Sequence, residues 1–216
     1  MTLTATPAAP PRRSRRFAAL SVIAGLTVCG AVVGALWAVI APPTHTITAL
    51  TKSGERIDGF LGREADNLFV AAAMMIGLLT MLAVVAAVLV WQWRAHRGPA
   101  LAAALWAGLI ASGVAACATG AILAHWRYGT ADHKGVVLFP EDRVHYFTEA
   151  PPVFPGHTPL QIAVTLLLPA ACGALVYALM TVATPRDDLG GWPPQDPHHR
   201  RSSAQRPGVE SVHLGE

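Results

Sequence analysis

Four long blocks of the chain contain no Asp, Glu, Lys, Arg or His, and this pattern restricts the fold more than any other feature. A helix needs about 20 apolar residues to cross the hydrocarbon core of a bilayer, and every block reaches that length. The remaining polar chain is too short to cover four such blocks in a water-soluble core. The sequence therefore predicts an all-α membrane protein, a four-helix transmembrane bundle with spans at residues 17–41, 68–90, 100–124 and 160–184.

The charges between the blocks predict the orientation. Four arginines precede the first block, and Arg94 and Arg97 lie in the short link between the second and third blocks. Lys and Arg concentrate in cytoplasmic loops, so we expect a multi-pass protein of the inner (plasma) membrane with both termini in the cytoplasm. The loops at 42–67 and 125–159 each hold three basic and four acidic residues, and we expect them outside. The short link also predicts that spans two and three form a tight antiparallel hairpin.

The domain organisation follows from the same pattern. Residues 1–16 and 185–216 contain few large apolar side chains, so we expect disordered cytoplasmic tails on either side of one transmembrane domain at 17–184. The first block is longer than the core of a signal peptide, and two prolines follow Ala41 in place of a cleavage motif. We therefore expect the block to be retained as a span.

Aromatic and basic residues cluster at the ends of the blocks. Such residues anchor helices at the membrane–water interface, which makes membrane lipids the first expected partners. Basic clusters placed beside the spans argue against nucleic acid as a partner. The predicted interface residues are Trp37, Trp91, Trp93, Arg94, Arg97 and Trp126.

Small residues recur on the first, third and fourth blocks. They let helix backbones approach closely, and packing within the chain explains them. A homodimer through Gly30 and Gly34 is the alternative. Cys29, Cys117 and Cys172 all lie within blocks, where we expect free thiols. The predicted helix-packing residues are Gly30, Gly34, Gly113, Gly120 and Gly173.

The two longer loops contain β-branched and aromatic runs, at residues 46–51 and 57 and at residues 136–139 and 144–147. A lone hairpin is marginally stable, so we expect these runs to combine in a small β-rich extracytoplasmic cap. Flexible connections are the alternative. The mixed-charge rim of the cap is the predicted partner surface, formed by Glu55, Arg56, Glu141, Asp142 and Arg143.

Motifs for catalysis and for metal binding are lacking in the sequence. Spans without Asp, Glu, Lys, Arg or His disfavour ion-coupled transport. The five histidines of the two longer loops lack the short spacing of zinc ligands, and the loop carboxylates are better explained as solvated charges. We therefore predict no catalytic residue, no metal site and no cofactor.

The segment at residues 91–99, with residues 35–37 and 41–43, resembles a family of small four-span actinobacterial membrane proteins of unknown function. The resemblance covers about residues 17–184. It implies an inner-membrane location in a mycobacterium-like host, and it carries over no catalytic residue.

These observations favour a non-enzymatic protein that acts by contact, as an accessory or assembly subunit of a cell-envelope complex. The alternative is a transport or lipid-handling protein with an intramembrane cavity lined by Ser112, Thr119 and a kink at Pro169. An enzyme is the third hypothesis.

Overall fold

The computed structural model of the protein describes residues 14–129, 135 and 144–184. Its four long helices are each long and apolar enough to cross a membrane, and they coincide with the four apolar blocks of the sequence. Large hydrophobic side chains such as Leu20, Phe69 and Met81 are exposed on their outer surface, as expected for contact with lipid. The elements are α1 (Arg15–Ile40), β1 (Thr44–Leu50), β2 (Arg56–Phe60), α2 (Ala65–Trp91), a 3-10 turn (Arg94–His96), α3 (Pro99–Tyr128), β3 (Val144–Glu149) and α4 (Pro159–Val182).

Local signals in the sequence fix the helix ends. The Thr158 hydroxyl accepts a hydrogen bond from the backbone N–H of Gln161, whose side chain accepts one from the backbone N–H of Thr158. This capping box begins α4, and Pro159 occupies its first turn. Gly98 and Gly129 flank α3 with φ angles of 148° and 72°, which favour glycine.

The closest helix contact joins α1 and α3. A Cβ built on Gly30 would overlap the backbone oxygen of Ser112, and one built on Gly34 would overlap that of Ala116. Both helices advance by four residues between these contacts, so α1 and α3 run parallel. The glycines permit a backbone approach that any larger side chain would prevent.

The second main contact joins α2 and α4. Gly173 of α4 lies against Ala83 of α2 and Leu109 of α3. Further along, the Trp91 ring packs edge-on against the Tyr177 ring with 5.2 Å between their centroids. The two helices therefore also run parallel.

The hairpin prediction differs from the structure. The chain joins α2 to α3 through a short link, but α3 packs far more closely on α1, and α2 on α4. Small residues on the facing helices determine these contacts, and the length of a link does not.

The ends of the bundle differ in what they carry. We call the end with residues 92–98 the link end and the opposite end, which carries the strands, the sheet end. Each end has its own apolar core cluster. The link-end cluster includes Leu26, Ala87, Leu101, Leu105 and Tyr177. The sheet-end cluster includes Trp37, Ala71, Met75, Ala116 and Val153.

The strands form one antiparallel sheet in the order β2-β1-β3. Thr46 of β1 lies opposite Phe60 of β2 and Phe147 of β3. The two longer loops therefore combine in one small sheet, as predicted. The run predicted at residues 136–139 lies outside the described residues.

Candidate functional site

The sheet is attached to the bundle through Glu64, at the N-terminal end of α2. One oxygen of the Glu64 carboxylate accepts hydrogen bonds from the His45 backbone N–H (3.1 Å) and the Asn67 amide (3.0 Å), and it lies 3.0 Å from His45 Nδ1. The Asn67 amide also donates to the Pro43 carbonyl oxygen at 3.2 Å. These bonds tie the start of β1 to the start of α2.

The hydrogen bonds from His45 lower the pKa of Glu64, against a smaller opposing effect of burial. The sequence prediction treated Glu64 as a solvated loop charge and missed this role. An acidic residue just before an apolar block indicates a helix start, but the hydrogen bonds to His45 depend on the tertiary fold.

On one face of the sheet, polar side chains form hydrogen bonds between the strands. Thr44, Thr46 and Thr48 of β1 are buried on it. The Thr46 hydroxyl donates to Glu149 Oε1 at 2.8 Å, and the Thr48 hydroxyl donates to Asp58 Oδ1 at 2.7 Å. These bonds join the central strand to both edge strands, so they stabilise the sheet.

The opposite face of the sheet carries an exposed apolar patch, next to His45 and Thr148, which lie opposite each other towards one end of the strands. Residues directly opposite each other share a face, and Ile47 lies opposite Tyr146 while Ala49 lies opposite both Ile57 and Val144. Ile57 is 52% exposed and Tyr146 is 66% exposed. We call these five residues the apolar sheet face.

The predicted charged rim is described only in part. Glu55 and Arg56 are exposed where the β1–β2 turn enters β2. The other three residues, Glu141, Asp142 and Arg143, lie outside the described residues. The sequence prediction did not identify the apolar sheet face, because its residues come together only through the register of three strands.

The five predicted helix-packing glycines all lie between helices of the same chain. Gly30 and Gly34 face α3, and Gly173 faces α2 and α3. A Cβ on Gly113 would lie 3.2 Å from the Leu166 side chain, and one on Gly120 would lie 2.9 Å from the Trp37 ring. The face of α1 that contains Gly30 and Gly34 is occupied by α3 within the chain.

The two predicted interface tryptophans of the sheet end have different environments. Trp37 is fully buried, and its indole N–H donates to the Ala71 carbonyl oxygen at 2.8 Å. It therefore packs inside the bundle and does not face lipid headgroups, which differs from the prediction. Trp126 is 87% exposed.

The remaining predicted interface residues lie together at the link end. Trp91 ends α2, and Trp93, Arg94 and Arg97 follow in the link. The Trp93 ring lies 4.9 Å from the His96 ring, centroid to centroid. This end of the molecule thus carries an aromatic and basic cluster.

An apolar groove of about 270 Å³ opens at the sheet end, between α1 and α3. Its lining includes Ala35, Leu123, Trp126 and Arg127. This groove is not the cavity predicted around Ser112, because Ser112 is buried at the contact of α1 with α3.

The groups that could carry reactive chemistry are few in the described ranges. Over residues 14–129 and 144–184, His, Cys, Asp and Glu side chains form no group of three that could hold a metal ion. All three cysteines of the chain are free thiols.

Comparison with known proteins places the chain among relatives of unknown role. The family model described as "Protein of unknown function (DUF2567)" matches residues 26–191. Uncharacterized proteins of Mycobacterium tuberculosis and Mycobacterium bovis are each 50% identical over 174 residues, which cover 80% of this chain and 90% of theirs. An uncharacterized protein of Mycobacterium leprae is 48% identical over 172 residues, 80% of this chain and 87% of its own.

No solved structure matches the chain. The resemblance to a family of small mycobacterial membrane proteins is confirmed by the relatives and by the four apolar helices. The family match covers most of the chain, and the protein therefore belongs to the DUF2567 family of proteins of unknown function.

Proposed function

We propose that the protein is a non-enzymatic subunit that acts by contact, as an accessory or assembly component of a cell-envelope complex. It sits in the inner (plasma) membrane with both termini in the cytoplasm. The distribution of charge supports this orientation, because the parallel helices α1 and α3 begin at the link end with Arg16, Arg94 and Arg97 nearby. An arginine-rich end is the cytoplasmic end in most membrane proteins, so the sheet lies outside.

The observation that carries the proposal is the apolar sheet face. A sheet packed on its own bundle needs no exposed Ile57 or Tyr146, whereas a partner-binding surface uses such side chains at its centre. The sheet is held on a rigid base by the Glu64 hydrogen bonds. A rigid surface loses little conformational entropy when a partner binds.

The partner surface is tested by affinity purification of the full chain from native membranes, with quantitative mass spectrometry of what is recovered. Truncating Ile57 and Tyr146 together, as Ile57→Ser with Tyr146→Ser, should reduce partner recovery by about tenfold or more. Central apolar side chains of an interface contribute about 2 kcal/mol or more each when they are hot spots.

The control is His145→Ser, which changes the neighbouring exposed position on the other face of β3. It should leave partner recovery unchanged. Equal loss with both variants, or repeated recovery of the wild-type protein alone, would count against the proposal.

A lipid-handling protein is the second candidate, and the groove beside Arg127 favours it. The lining of the groove is apolar apart from that arginine, so it suits an acyl chain below an anionic headgroup. A stoichiometric lipid in the purified protein, together with no protein partner, would favour this candidate over the first.

A further inference from the structure

The link end contains a stack of one cation and two aromatic rings. Arg97 Nε donates to the Trp91 carbonyl oxygen at 2.8 Å, and the Arg97 guanidinium carbon lies 4.3 Å from the centre of the Trp91 ring. The Trp91 ring also packs edge-on against the Tyr177 ring. The two contacts of Arg97 hold it against the C-terminal end of α2, and Trp91 links this end to α4.

A second cation lies beside the stack. Arg94 is exposed, and over the described residues it forms no ion pair with a carboxylate. Burial, and then the charge of Arg94, lower the pKa of Arg97. Two neighbouring guanidinium groups repel each other and create a positive potential. A bound anion would reduce this repulsion.

The third observation is the Tyr177 hydroxyl. Tyr177 is only 5% exposed, and its hydroxyl has no hydrogen-bond partner in the described part of the chain. Buried hydroxyl groups are normally hydrogen-bonded, because an unsatisfied one costs free energy. The Tyr177 ring packs edge-on against the Trp91 ring, over which the Arg97 guanidinium lies.

The backbone adds a fourth contribution. Helix α3 begins at Pro99 with Gly98 as its N-cap, and no side chain caps it. The N-terminus of a 30-residue helix carries partial positive charge close to the two arginines.

We propose that Arg94, Arg97 and Tyr177, beside the Trp91 ring, bind a phosphate-bearing anion at the link end. Guanidinium groups donate in pairs to phosphate oxygens, and the phenol supplies one further donor. A lipid headgroup and a free phosphate ester share this chemistry. The site is separate from the apolar sheet face, so its test is independent of the proposed partner role.

The test uses the full-length protein in detergent and measures bound lipid by native mass spectrometry. Phosphatidylglycerol and phosphatidylcholine are offered at equal concentration, and wild type should retain the anionic lipid preferentially. Arg94→Gln should weaken its retention about fivefold, the equivalent of about 1 kcal/mol for one basic residue at the membrane surface. Tyr177→Phe keeps the ring and should weaken retention about two- to tenfold.

The control is Arg63→Gln, which removes a cation at the sheet end whose side chain is 94% exposed. Retention should be unchanged in this variant. Millimolar glycerol phosphate then distinguishes the two possible ligands. If it displaces the bound lipid, the site binds a free phosphate ester. If the lipid stays bound, the site binds the lipid headgroup. Retention equal to wild type in Tyr177→Phe would overturn the proposal, because general attraction to a basic surface does not need the phenol.

Discussion

Single residues determine how the two parts of the molecule are joined. Glu64 receives hydrogen bonds from the strand end and from its own helix, and thereby holds the sheet against the bundle. Trp37 fills the sheet-end core and donates to a carbonyl oxygen of α2. Both side chains come from sequence positions that are also compatible with a simple surface role, so their contacts depend on the tertiary fold.

The pH dependence of stability at the sheet end tests the role of Glu64. The folded state lowers the pKa of Glu64 below its ordinary value of 4.5, so the unfolded state binds the proton more tightly. The stabilisation is therefore present above that value and is lost as the pH falls through the lower folded pKa. Thermal unfolding in detergent, followed as a function of pH, should show this loss below about pH 5.

Glu64→Gln is the matched variant for this measurement, because it keeps the shape of the side chain and removes the titration. It should be less stable than wild type at neutral pH and should depend less on pH below 5. The same acid dependence in both proteins would show that other groups cause it.

At the scale of elements, the bundle depends on the parallel contact of α1 with α3. Gly30 and Gly34 meet Ser112 and Ala116, and the four-residue spacing on both helices repeats the close approach. Ser112 is buried there. The contact leaves no room for a side chain at either glycine.

Gly34→Leu tests this contact, with Gly25→Leu as its control. A Cβ at Gly34 overlaps the backbone of α3, whereas one at Gly25, on the same helix, has no atom within 4 Å. Overpacking should destabilise Gly34→Leu by about 1–3 kcal/mol or more. Gly25→Leu should be as stable as wild type or more stable by up to about 1 kcal/mol, because leucine has a higher helix propensity than glycine.

Stability is measured by thermal unfolding in detergent, with monomer content followed by size exclusion. Equal stability of the two variants would contradict the α1–α3 contact. Loss of a dimer in Gly34→Leu, without destabilisation of the monomer, would instead assign Gly34 to a homodimer.

Much of this arrangement follows from the sequence, and the reasons for the remainder are physical. The apolar blocks predict the four helices because a bilayer crossing requires length and hydrophobicity together. Small residues on three helices do not indicate which helices meet, because every pair of such stripes can pack. The short link between α2 and α3 predicts a tight hairpin that the structure does not show, because a link keeps two helices close at one end only.

The candidate site was predictable to a lesser extent. Alternation in the loops indicates strands, but the register that brings Tyr146 opposite Ile47 depends on pairing between distant segments. Trp37 lies at the end of an apolar block, where the sequence does not distinguish a tryptophan at the membrane interface from one in the core. The basic and aromatic residues of the link were visible in the sequence, whereas the buried Tyr177 hydroxyl beside them was not.

The whole molecule has two chemically different ends. The link end carries Arg94 and Arg97 with aromatic rings, and the sheet end carries three strands with an open apolar face. A bilayer keeps such ends on opposite sides, so the orientation decides which end meets which compartment. The proposed partner role requires the sheet to lie outside.

Cysteine labelling in spheroplasts tests this central claim directly. In a chain whose three native cysteines are replaced by alanine, one cysteine is introduced as Lys52→Cys at the β1–β2 turn or as Gln92→Cys in the link, both exposed positions. We predict that a membrane-impermeant maleimide labels Lys52→Cys in intact spheroplasts, and Gln92→Cys only after permeabilisation. Labelling of Gln92→Cys in intact spheroplasts, with protection of Lys52→Cys, would place the sheet in the cytoplasm and contradict the account.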